Sequence, residues 1–285
     1  MPAMTNLEFE TLSALIYRKS GINLGELKME LLSARLGKRL RALKLPSVHS
    51  YMQRLQEDKS GLELERLVDV VTTNKTEFFR EAKHYEHLVQ ALLPAYLGSA
   101  AAKRGQPLRV WSAACSSGEE PYSLAMVLHE ALAGRARFKI LATDISSPVL
   151  HRAMRGSYSQ ERMEGVPPLL RERYFDLEEG SADHECTVKP LLREAVHFSR
   201  FNLTDESQYV FENRFDAIFC RNVMIYFDRP TQESVVGRLG RHLAPGGYLY
   251  TGFSESLIGI RHDLKPSGAS VYQARATRDA LAPRD

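Results

Sequence analysis

The sequence predicts an α/β fold built on a mostly parallel sheet and preceded by a small all-α domain. Apolar side chains in the first 72 residues recur only at helical spacing. From residue 108 onward, short apolar runs alternate with helical segments, which is the pattern of a sheet with crossover helices. At 108–126, a strand, a turn of small residues and a helix follow one another directly, as they do where such a sheet binds a cofactor.

The composition is that of an ordinary globular chain. The 285 residues are 44% hydrophobic and 26% charged. No apolar run approaches the roughly 18 residues of a membrane span, and the N-terminus lacks a signal-peptide pattern. The three cysteines, Cys115, Cys186 and Cys220, are too widely spaced to predict a disulfide framework or a zinc site. We therefore expect a cytoplasmic protein without a metal and without membrane insertion.

Four helices are predicted in the N-terminal domain. Thr5 and Glu8 match a capping box at the start of the first helix, which should end at Gly21. The second helix is expected at 27–43, and two more lie around 48–55 and 64–71.

The second helix carries a basic face. Residues 1–80 contain 13 Lys and Arg against 10 Asp and Glu, whereas the other 205 residues contain 25 of each. Lys28, Arg35, Lys38 and Arg39 fall together at about 100° per residue. The face is either a solvated surface or a docking face for an acidic partner. Nucleic acid is not expected, because the surplus is small and aromatic side chains are not interleaved.

The segment 72–80 breaks the helical periodicity and should lead into the second domain. Its adjacent Phe78 and Phe79 are typical of core anchors. Asn74, Thr76 and Arg80 supply an amide, a hydroxyl and a guanidinium, a set that could hold a carboxylate. We place the domain boundary between residues 80 and 81.

The turn after the first strand distinguishes between cofactors. It is not GxGxxG and has no phosphate-binding Lys. Glu119 and Glu120 at the start of a helix would repel a pyrophosphate. The pair favours a phosphate-free ligand that carries positive charge, such as S-adenosylmethionine, although two acids could also simply cap the helix.

An acid ends the next predicted strand, 138–145. Asp144 comes about 25 residues after the turn, where a ribose hydroxyl pair is usually bound. By itself it could equally cap the following helix.

Residues 157–200 interrupt the alternation of strands and helices. Glu185 to Val188 and Glu194 to Phe201 are predicted as short strands of an antiparallel insertion, assigned to 176–200. It is either structural decoration or an interaction site.

Polar residues follow the later strands. Asn202 and Leu203 lie where a third main strand should end, and Arg221 and Asn222 directly follow the strand 215–220. Sites in open α/β sheets lie beyond the carboxyl ends of strands, so these residues are expected at the site.

In these motifs the chain resembles the chemotaxis receptor methyltransferases of the CheR type, which are S-adenosylmethionine-dependent protein-glutamate O-methyltransferases of signal transduction. The resemblance covers nearly the whole chain. The matching stretches are TTNKTEFFRE (72–81), VWSAACSSGEEPYSLA (110–125), LATDIS (141–146), FNL (201–203), FDAIFCRNVMIYF (215–227) and PGGYLYTGFSES (245–256).

The resemblance implies a Rossmann-like class I methyltransferase domain at 81–285 after a helical, substrate-facing domain at 1–80. S-adenosylmethionine would be the cofactor and S-adenosylhomocysteine the product. The implied contacts are Asn74, Thr76 and Arg80 at the methionine end, Glu119 at polar groups, Asp144 at the ribose, Asn202 and Leu203 at the adenine, and Arg221 and Asn222 between cofactor and substrate. The insertion would correspond to the family's β-subdomain, which in some members binds a peptide at the receptor C-terminus.

Methyl transfer to a carboxylate needs no general base, since a Glu side chain is ionised at neutral pH. The protein's task is to orient the reactants, and Arg80, Arg221 and Tyr226 are the predicted orienting residues. The expected substrate is a Glu-rich helical receptor domain that meets the Lys28, Arg35, Lys38 and Arg39 face.

Two alternatives stay open. One is a methyltransferase for RNA or a small molecule, although the sequence after 215–220 is RNVM and not the Asn/Asp-Pro-Pro-aromatic motif of base amino-group transfer. The other is a non-catalytic adaptor that binds the cofactor as a signal. A nicotinamide dehydrogenase is disfavoured by the missing glycine pattern and the paired Glu.

Overall fold

The structure is a computed structural model that describes residues 4–25, 28–177 and 185–276. Four helices form the N-terminal domain: α1 (Asn6–Ser20), α2 (Met29–Leu43), α3 (Val48–Glu57) and α4 (Leu62–Val71). The predicted start of the second helix at Leu27 lies outside the described residues. Within the described ranges, eight further α-helices and one π-helical turn follow: α5 (Lys83–His87), the π turn (Leu88–Leu92), α6 (Leu93–Gly98), α7 (Ala100–Lys103), α8 (Glu119–Leu132), α9 (Ser147–Arg155), α10 (Pro168–Tyr174), α11 (Pro190–Arg193) and α12 (Arg229–His242). Short 3-10 turns occupy Gln160–Met163, Glu206–Gln208 and Met224–Tyr226.

Local sequence signals set both ends of α1. The Thr5 hydroxyl accepts a hydrogen bond from the Glu8 N–H at 3.3 Å, and the Glu8 carboxylate accepts one from the Thr5 N–H at 2.8 Å. Gly21 ends the helix in the left-handed conformation with φ of 71°. A Cβ at Gly21 would lie 2.5 Å from the Thr204 methyl group, so the two domains approach closely there.

Ten strands form two sheets. They are β1 (Leu108–Ala113), β2 (Phe138–Asp144), β3 (Ser157–Tyr158), β4 (Phe175–Leu177), β5 (Cys186–Val188), β6 (Val196–Arg200), β7 (Phe215–Cys220), β8 (Leu243–Tyr250), β9 (Lys265–Gly268) and β10 (Val271–Gln273). The main sheet has the order β6-β2-β1-β7-β8-β10-β9 and is parallel from β6 to β8, while β10 runs antiparallel to both of its neighbours. The strand order reverses at β1, which pairs with β2 on one side and β7 on the other. A binding crevice is expected beyond the carboxyl ends at that point.

The antiparallel insertion exists, but its predicted bounds are wrong. Val196–Arg200 pairs in parallel with β2, from Ile140 opposite Val196 to Asp144 opposite Arg200, so it is the edge strand of the main sheet. The second sheet has the order β3-β5-β4 and draws on residues both before and within the predicted segment 176–200. Residues 178–184 of that segment lie outside the described residues.

Helices cover both faces of the main sheet. On one face, α8 and the α5–α6 helix bury Leu88, Leu124 and Leu128 against β1 and β7. On the other face, the N-terminal helices and α12 form one continuous core with the sheet, to which Leu12, Leu36, Trp111, Ile218 and Val235 contribute. The helical domain is therefore packed directly against the sheet that carries the crevice. Among the described residues, no helix is long and apolar enough to cross a lipid bilayer.

Candidate active site

A cavity of about 980 Å³, counting its open mouth, lies at the carboxyl ends of β1, β2 and β7. Its walls come from the linker after α4, the loop after β1, the end of β2 and the segments after β6 and β7. Nine of the residues predicted for cofactor binding or orientation line it: Asn74, Thr76, Arg80, Asp144, Asn202, Leu203, Arg221, Asn222 and Tyr226. Glu119, Lys28, Arg35, Lys38 and Arg39 are not among its lining residues.

The loop after β1 has an unusual backbone. Ala114 and Ser116 adopt positive φ values of 74° and 50°, and Gly118 has φ of 99°. A Cβ at Gly118 would lie 2.7 Å from the Tyr158 hydroxyl, so only glycine fits there. The loop therefore turns sharply and keeps small side chains beside the cavity.

Asp144 holds this loop to β2. Its Oδ2 accepts a hydrogen bond from the Ser116 N–H at 2.8 Å, and its Oδ1 accepts one from the Ser146 N–H at 2.9 Å. Burial raises the pKa of Asp144, and the backbone hydrogen bonds from Ser146 and Ser116 oppose that rise. The carboxylate is thus fixed at the cavity wall with acceptor capacity left for a ligand hydroxyl.

Glu119 and Glu120 point to different partners. Glu119 is 1% exposed, accepts a hydrogen bond from the Ser117 hydroxyl at 2.8 Å and forms an ion pair with Arg162. Glu120 lines the cavity and accepts a hydrogen bond from the Ser112 hydroxyl at 2.6 Å. Glu119 was the acid expected at the cofactor, but Glu120 is the acid of the pair that lines the cavity.

The Arg221 guanidinium joins three segments at the cavity wall. Its Nε lies 3.3 Å from Glu81 Oε2, its Nη1 lies 3.5 Å from Glu120 Oε2, and its Nη2 donates to the Arg80 carbonyl. Burial lowers the pKa of Arg221, but the charge of Glu120, with Tyr85 and Glu81, outweighs this and leaves the pKa raised. Burial raises the pKa of Glu120, and Arg221 opposes that rise.

The linker after α4 is anchored by its aromatic residues. Phe78 is buried and packs edge-to-face on Tyr158 and Phe175 at ring distances of 5.0 and 5.8 Å. The Phe79 N–H donates to the Ser123 hydroxyl at 2.9 Å. The cavity is lined by polar residues on either side of these two anchors, namely Asn74, Thr76 and Arg80.

Asn202 has partners inside the protein. Its Nδ2 donates to the Lys19 carbonyl at 2.8 Å, and its Oδ1 accepts from the Thr204 N–H at 3.0 Å. The Leu203 carbonyl accepts from the Tyr209 hydroxyl at 2.9 Å. These contacts connect α1 to the segment after β6 and fix the position of both residues at the cavity.

Tyr226 lies where the helical domain meets the cavity. Its carbonyl accepts a hydrogen bond from the Asn23 N–H at 2.8 Å, and Ile22 forms a β-bridge with Phe227. The Lys28 ammonium lies 5.9 Å from the centre of the Tyr226 ring. Lys28 is therefore near the cavity, although it does not line it.

Two residues of the predicted basic face have partners inside the domain. Arg35 donates to the carbonyls of Val71 at 2.6 Å and Thr72 at 3.1 Å. Arg39 binds Glu63 through two hydrogen bonds of 2.9 and 2.6 Å. Lys38 is exposed. The basic face is thus partly structural, and its exposed charge is smaller than the spacing alone implies.

Sequence reasoning missed Glu81 and Glu255. Glu81 contacts Arg221, and its Oε1 accepts from Asn222 Nδ2 at 3.3 Å. Glu255 accepts backbone hydrogen bonds from the loop after β7. Both lie in motifs quoted above, but no spacing rule distinguishes them from exposed acids, because the partners just named are 31 or more residues away.

Several backbone donors of the loop after β1 already have acceptors within the protein. The Ser116 N–H donates to Asp144, and the Ala114 and Cys115 N–H groups both donate to the Thr143 carbonyl at 2.8 Å. With Glu120 also at the wall, the cavity fits a phosphate-free cationic nucleoside better than a nucleotide. S-adenosylmethionine has that chemistry. Among the described residues, no cluster of three or more His, Cys, Asp or Glu is placed to hold a metal ion.

The main sheet completes the assignment of class. Counted in chain order, its seven strands have the order 3-2-1-4-5-7-6, with the last strand inserted antiparallel. This topology and the cavity lined by Glu120 and Asp144 define a class I S-adenosylmethionine-dependent methyltransferase.

Family comparison gives the assignment at finer detail. Residues 74–273 match the family model described as CheR methyltransferase, SAM binding domain, and residues 7–72 match CheR methyltransferase, all-alpha domain. The chain belongs to the CheR methyltransferase family.

Curated relatives agree along most of the chain. The chain is 40% identical to chemotaxis protein methyltransferase 2 of Pseudomonas aeruginosa, over 94% of this chain and 93% of that protein. It is 38% identical to the chemotaxis protein methyltransferase of Borreliella burgdorferi, over 91% of each. It is 37% identical to that of Escherichia coli, over 95% of this chain and 91% of the relative.

Proposed function

We propose that this enzyme transfers a methyl group from S-adenosylmethionine to glutamate side chains on the cytoplasmic domains of chemoreceptors, giving methyl esters. The observation that carries the proposal is that one cavity is lined both by the acids Glu120 and Asp144 and by Arg80 and Tyr226. A cationic donor suits the acids. An incoming carboxylate suits a guanidinium and a phenol.

When bound, S-adenosylmethionine supplies an electrophilic methyl group. The side chains of this cavity then have to hold the acceptor carboxylate in line at about 3–3.5 Å and exclude water. Arg80 and Tyr226 are proposed to orient the acceptor. Arg221 already faces Glu81 and Glu120, so its charge is largely compensated and it does not bind the acceptor tightly. Weak ground-state pairing keeps the carboxylate reactive, because only interactions that strengthen in the transition state raise the rate.

The helical domain is proposed to meet the receptor, with 1–80 as the receptor-facing unit and 81–285 as the methyltransferase unit. Lys38 is exposed and Lys28 lies beside Tyr226. Arg35 and Arg39 would support this surface from within. Because the acceptor is a receptor's cytoplasmic domain, we propose that the enzyme acts in the cytoplasm.

A second receptor contact is proposed at the antiparallel sheet. In its order β3-β5-β4, the strand β4 lies at the edge of the sheet among the described residues, and Leu177 is 66% exposed. An extended receptor C-terminal peptide could add to such an edge by main-chain hydrogen bonds. The segment 178–184 that follows β4 lies outside the described residues.

The test is transfer of a radiolabelled methyl group to a purified receptor cytoplasmic fragment. Label that is released by mild alkali and maps to glutamate residues by peptide mass spectrometry would support the proposal. Alkali-stable label, or label on RNA, would refute it. Saturable binding of the donor with no transfer to any receptor fragment would favour the non-catalytic adaptor.

A further inference from the structure

Glu255 is a buried carboxylate that binds only backbone N–H groups in the turn after β8. It is 5% exposed. Its Oε2 accepts from Gly252 and Asn222, each at 2.7 Å, and its Oε1 accepts from Met224 at 2.8 Å and Ile225 at 3.3 Å. Four donors on one carboxylate is the arrangement of a backbone anion site that the chain fills with its own side chain.

Within the described part of the chain, no cation forms an ion pair with this carboxylate. None of the ion pairs between described residues includes Glu255. Burial raises the pKa of Glu255, and the hydrogen bonds from Gly252, Asn222, Ile225 and Met224 oppose that rise. The four N–H dipoles therefore take the place of a counter-ion.

The donors belong to a segment that shapes the cavity. Asn222, Val223 and Tyr226 line the cavity, whereas Glu255 does not. Asn222 has φ of 57°, a left-handed conformation that is uncommon for a residue with a side chain. Its N–H points at Glu255, so the carboxylate holds the chain reversal that follows β7.

The turn around Glu255 requires glycine at position 252 for the contact between Glu255 and Asn222. A Cβ at Gly252 would lie 2.5 Å from Asn222 Nδ2 and 2.8 Å from Glu255 Oε2, so a side chain at 252 would separate the two segments. The Thr251 hydroxyl donates to the Glu255 carbonyl at 3.0 Å. Glu81 supports the other side, where its Oε1 accepts from Asn222 Nδ2 at 3.3 Å and from the Phe253 N–H at 3.2 Å.

We propose that Glu255 is a positioning residue for methyl transfer, whose carboxylate fixes the backbone of 222–225 and so places Asn222 and Tyr226 at the acceptor side of the cavity. The inference rests on the proposed function for the identity of the acceptor. Glu255 touches neither reactant. It acts by fixing the geometry of the segment after β7, which lines the cavity.

The first test compares Glu255→Gln with the wild type. The amide has the same shape but one acceptor oxygen, so two of the four N–H groups lose their partner. We expect kcat for the receptor fragment to fall about 10- to 100-fold, while the Kd of S-adenosylhomocysteine changes by less than about threefold. The backbone amides of residues 222–225 should exchange their hydrogens with solvent faster than in the wild type. This measurement does not depend on enzymatic activity. A wild-type kcat and unchanged exchange in folded Glu255→Gln would overturn the inference.

The second test is chemical rescue of Glu255→Ala by formate. Formate can enter the vacated anion site, so activity should rise saturably with formate but not with equal chloride. The matched control is Asp216→Ala, which removes a carboxylate that accepts the Arg109 N–H at 2.8 Å away from the cavity and should show no rise. If the activity of Glu255→Ala is proportional to its folded fraction and does not change with formate, Glu255 has only a structural role. Failure of the proposed function itself would appear as absence of receptor esters with the wild type.

Discussion

The carboxylate of Asp144 accepts a hydrogen bond from the backbone N–H of Ser116 at 2.8 Å, and this contact joins the carboxyl ends of β1 and β2. Ser116 is one of several residues around the cavity whose backbone has a positive φ. Eight non-glycine residues among those described have positive φ, and five of them lie in the three segments around the cavity: Phe79, Glu81, Ala114, Ser116 and Asn222. Such conformations cost about 1–3 kcal/mol each and persist only when neighbours hold them.

Buried acceptors hold these strained residues. The N–H groups of Phe79, Ser116 and Asn222 donate to the side chains of Ser123, Asp144 and Glu255, respectively. Each acceptor comes from an element distant in sequence. Two of these acceptors, Ser123 and Glu255, do not line the cavity, so its shape depends in part on side chains that point into the protein.

Asp144→Asn should weaken cofactor binding. The amide loses one acceptor and presents N–H groups where the carboxylate accepts, so we expect the Kd of S-adenosylhomocysteine to rise about 10- to 100-fold, the range of a lost hydrogen bond to a charged group. Calorimetric titration measures it. Asp216→Asn is the matched control, because its carboxylate also accepts a strand N–H but lies away from the cavity. Equal affinities in both variants and the wild type would remove Asp144 from the site.

Glu120→Gln should mainly affect cofactor affinity, whereas Glu119→Gln should mainly affect stability. Glu120 faces the cavity and Arg221, so its loss should lower cofactor affinity and leave Arg221 less compensated. Glu119 is buried against Arg162 and Ser117, so its neutralisation should mainly lower the free energy of unfolding, by about 1–3 kcal/mol. Urea unfolding and donor titration of both variants separate the two effects. A larger loss of affinity in Glu119→Gln would restore the assignment made from the sequence.

Reversing charge on α2 should have two separate consequences. Lys38→Glu changes an exposed residue, so we expect a higher KM for the receptor fragment at low salt and unchanged stability. Arg39→Glu removes the two hydrogen bonds to the buried Glu63, leaves it only the more distant Arg54 and adds a like charge, so stability should fall by about 1–3 kcal/mol. Thermal unfolding and receptor kinetics of the two variants test this. An unchanged KM in Lys38→Glu would argue against a receptor contact there.

His84 should make stability depend on pH. Burial, helped by the positive charge of Arg221, lowers the pKa of His84 from 6.5 to about 4, although Glu81 opposes this. Between these values the unfolded chain binds a proton that the folded protein does not. Stability from His84 is therefore complete above about pH 6.5 and is lost toward pH 4, at up to about 1.4 kcal/mol per pH unit.

The measurement is the free energy of unfolding in urea at pH 7, 5.5 and 4.5 for the wild type and for His84→Gln. The difference between the two should shift in favour of the variant as the pH falls. Glu120 and Asp144, whose raised pKa values act in the opposite sense, are common to both proteins and cancel in that difference. A difference that stays constant from pH 7 to 4.5 would show that His84 is not held neutral.

Features that depend on nearby residues were predictable from the sequence. The capping box of α1 and its end at Gly21 follow from signals within a few positions, and both are confirmed. The α/β class is confirmed as well, because the alternation of apolar strands and helices extends over the whole domain. Most of the site residues predicted from these signals also line one cavity.

Features that depend on distant partners were not predictable. Val196–Arg200 has strand character, but only its pairing with β2 decides that it belongs to the main sheet and not to the insertion. Glu119 and Glu120 are adjacent in sequence, and Arg162, 43 residues away, engages the first of them. The partners of Arg35 and Arg39 lie 24–38 residues away, so helical spacing alone could not show that these cations already have partners.

Calorimetric titration of the wild-type protein with S-adenosylmethionine, S-adenosylhomocysteine and a nicotinamide dinucleotide tests the central claim most directly. The claim is that a cavity lined by Glu120 and Asp144 accepts a phosphate-free sulfonium ligand. It predicts saturable one-to-one binding of the first two ligands and none of the dinucleotide. Saturation by the dinucleotide, with no heat from the methyl donor or its product, would contradict it.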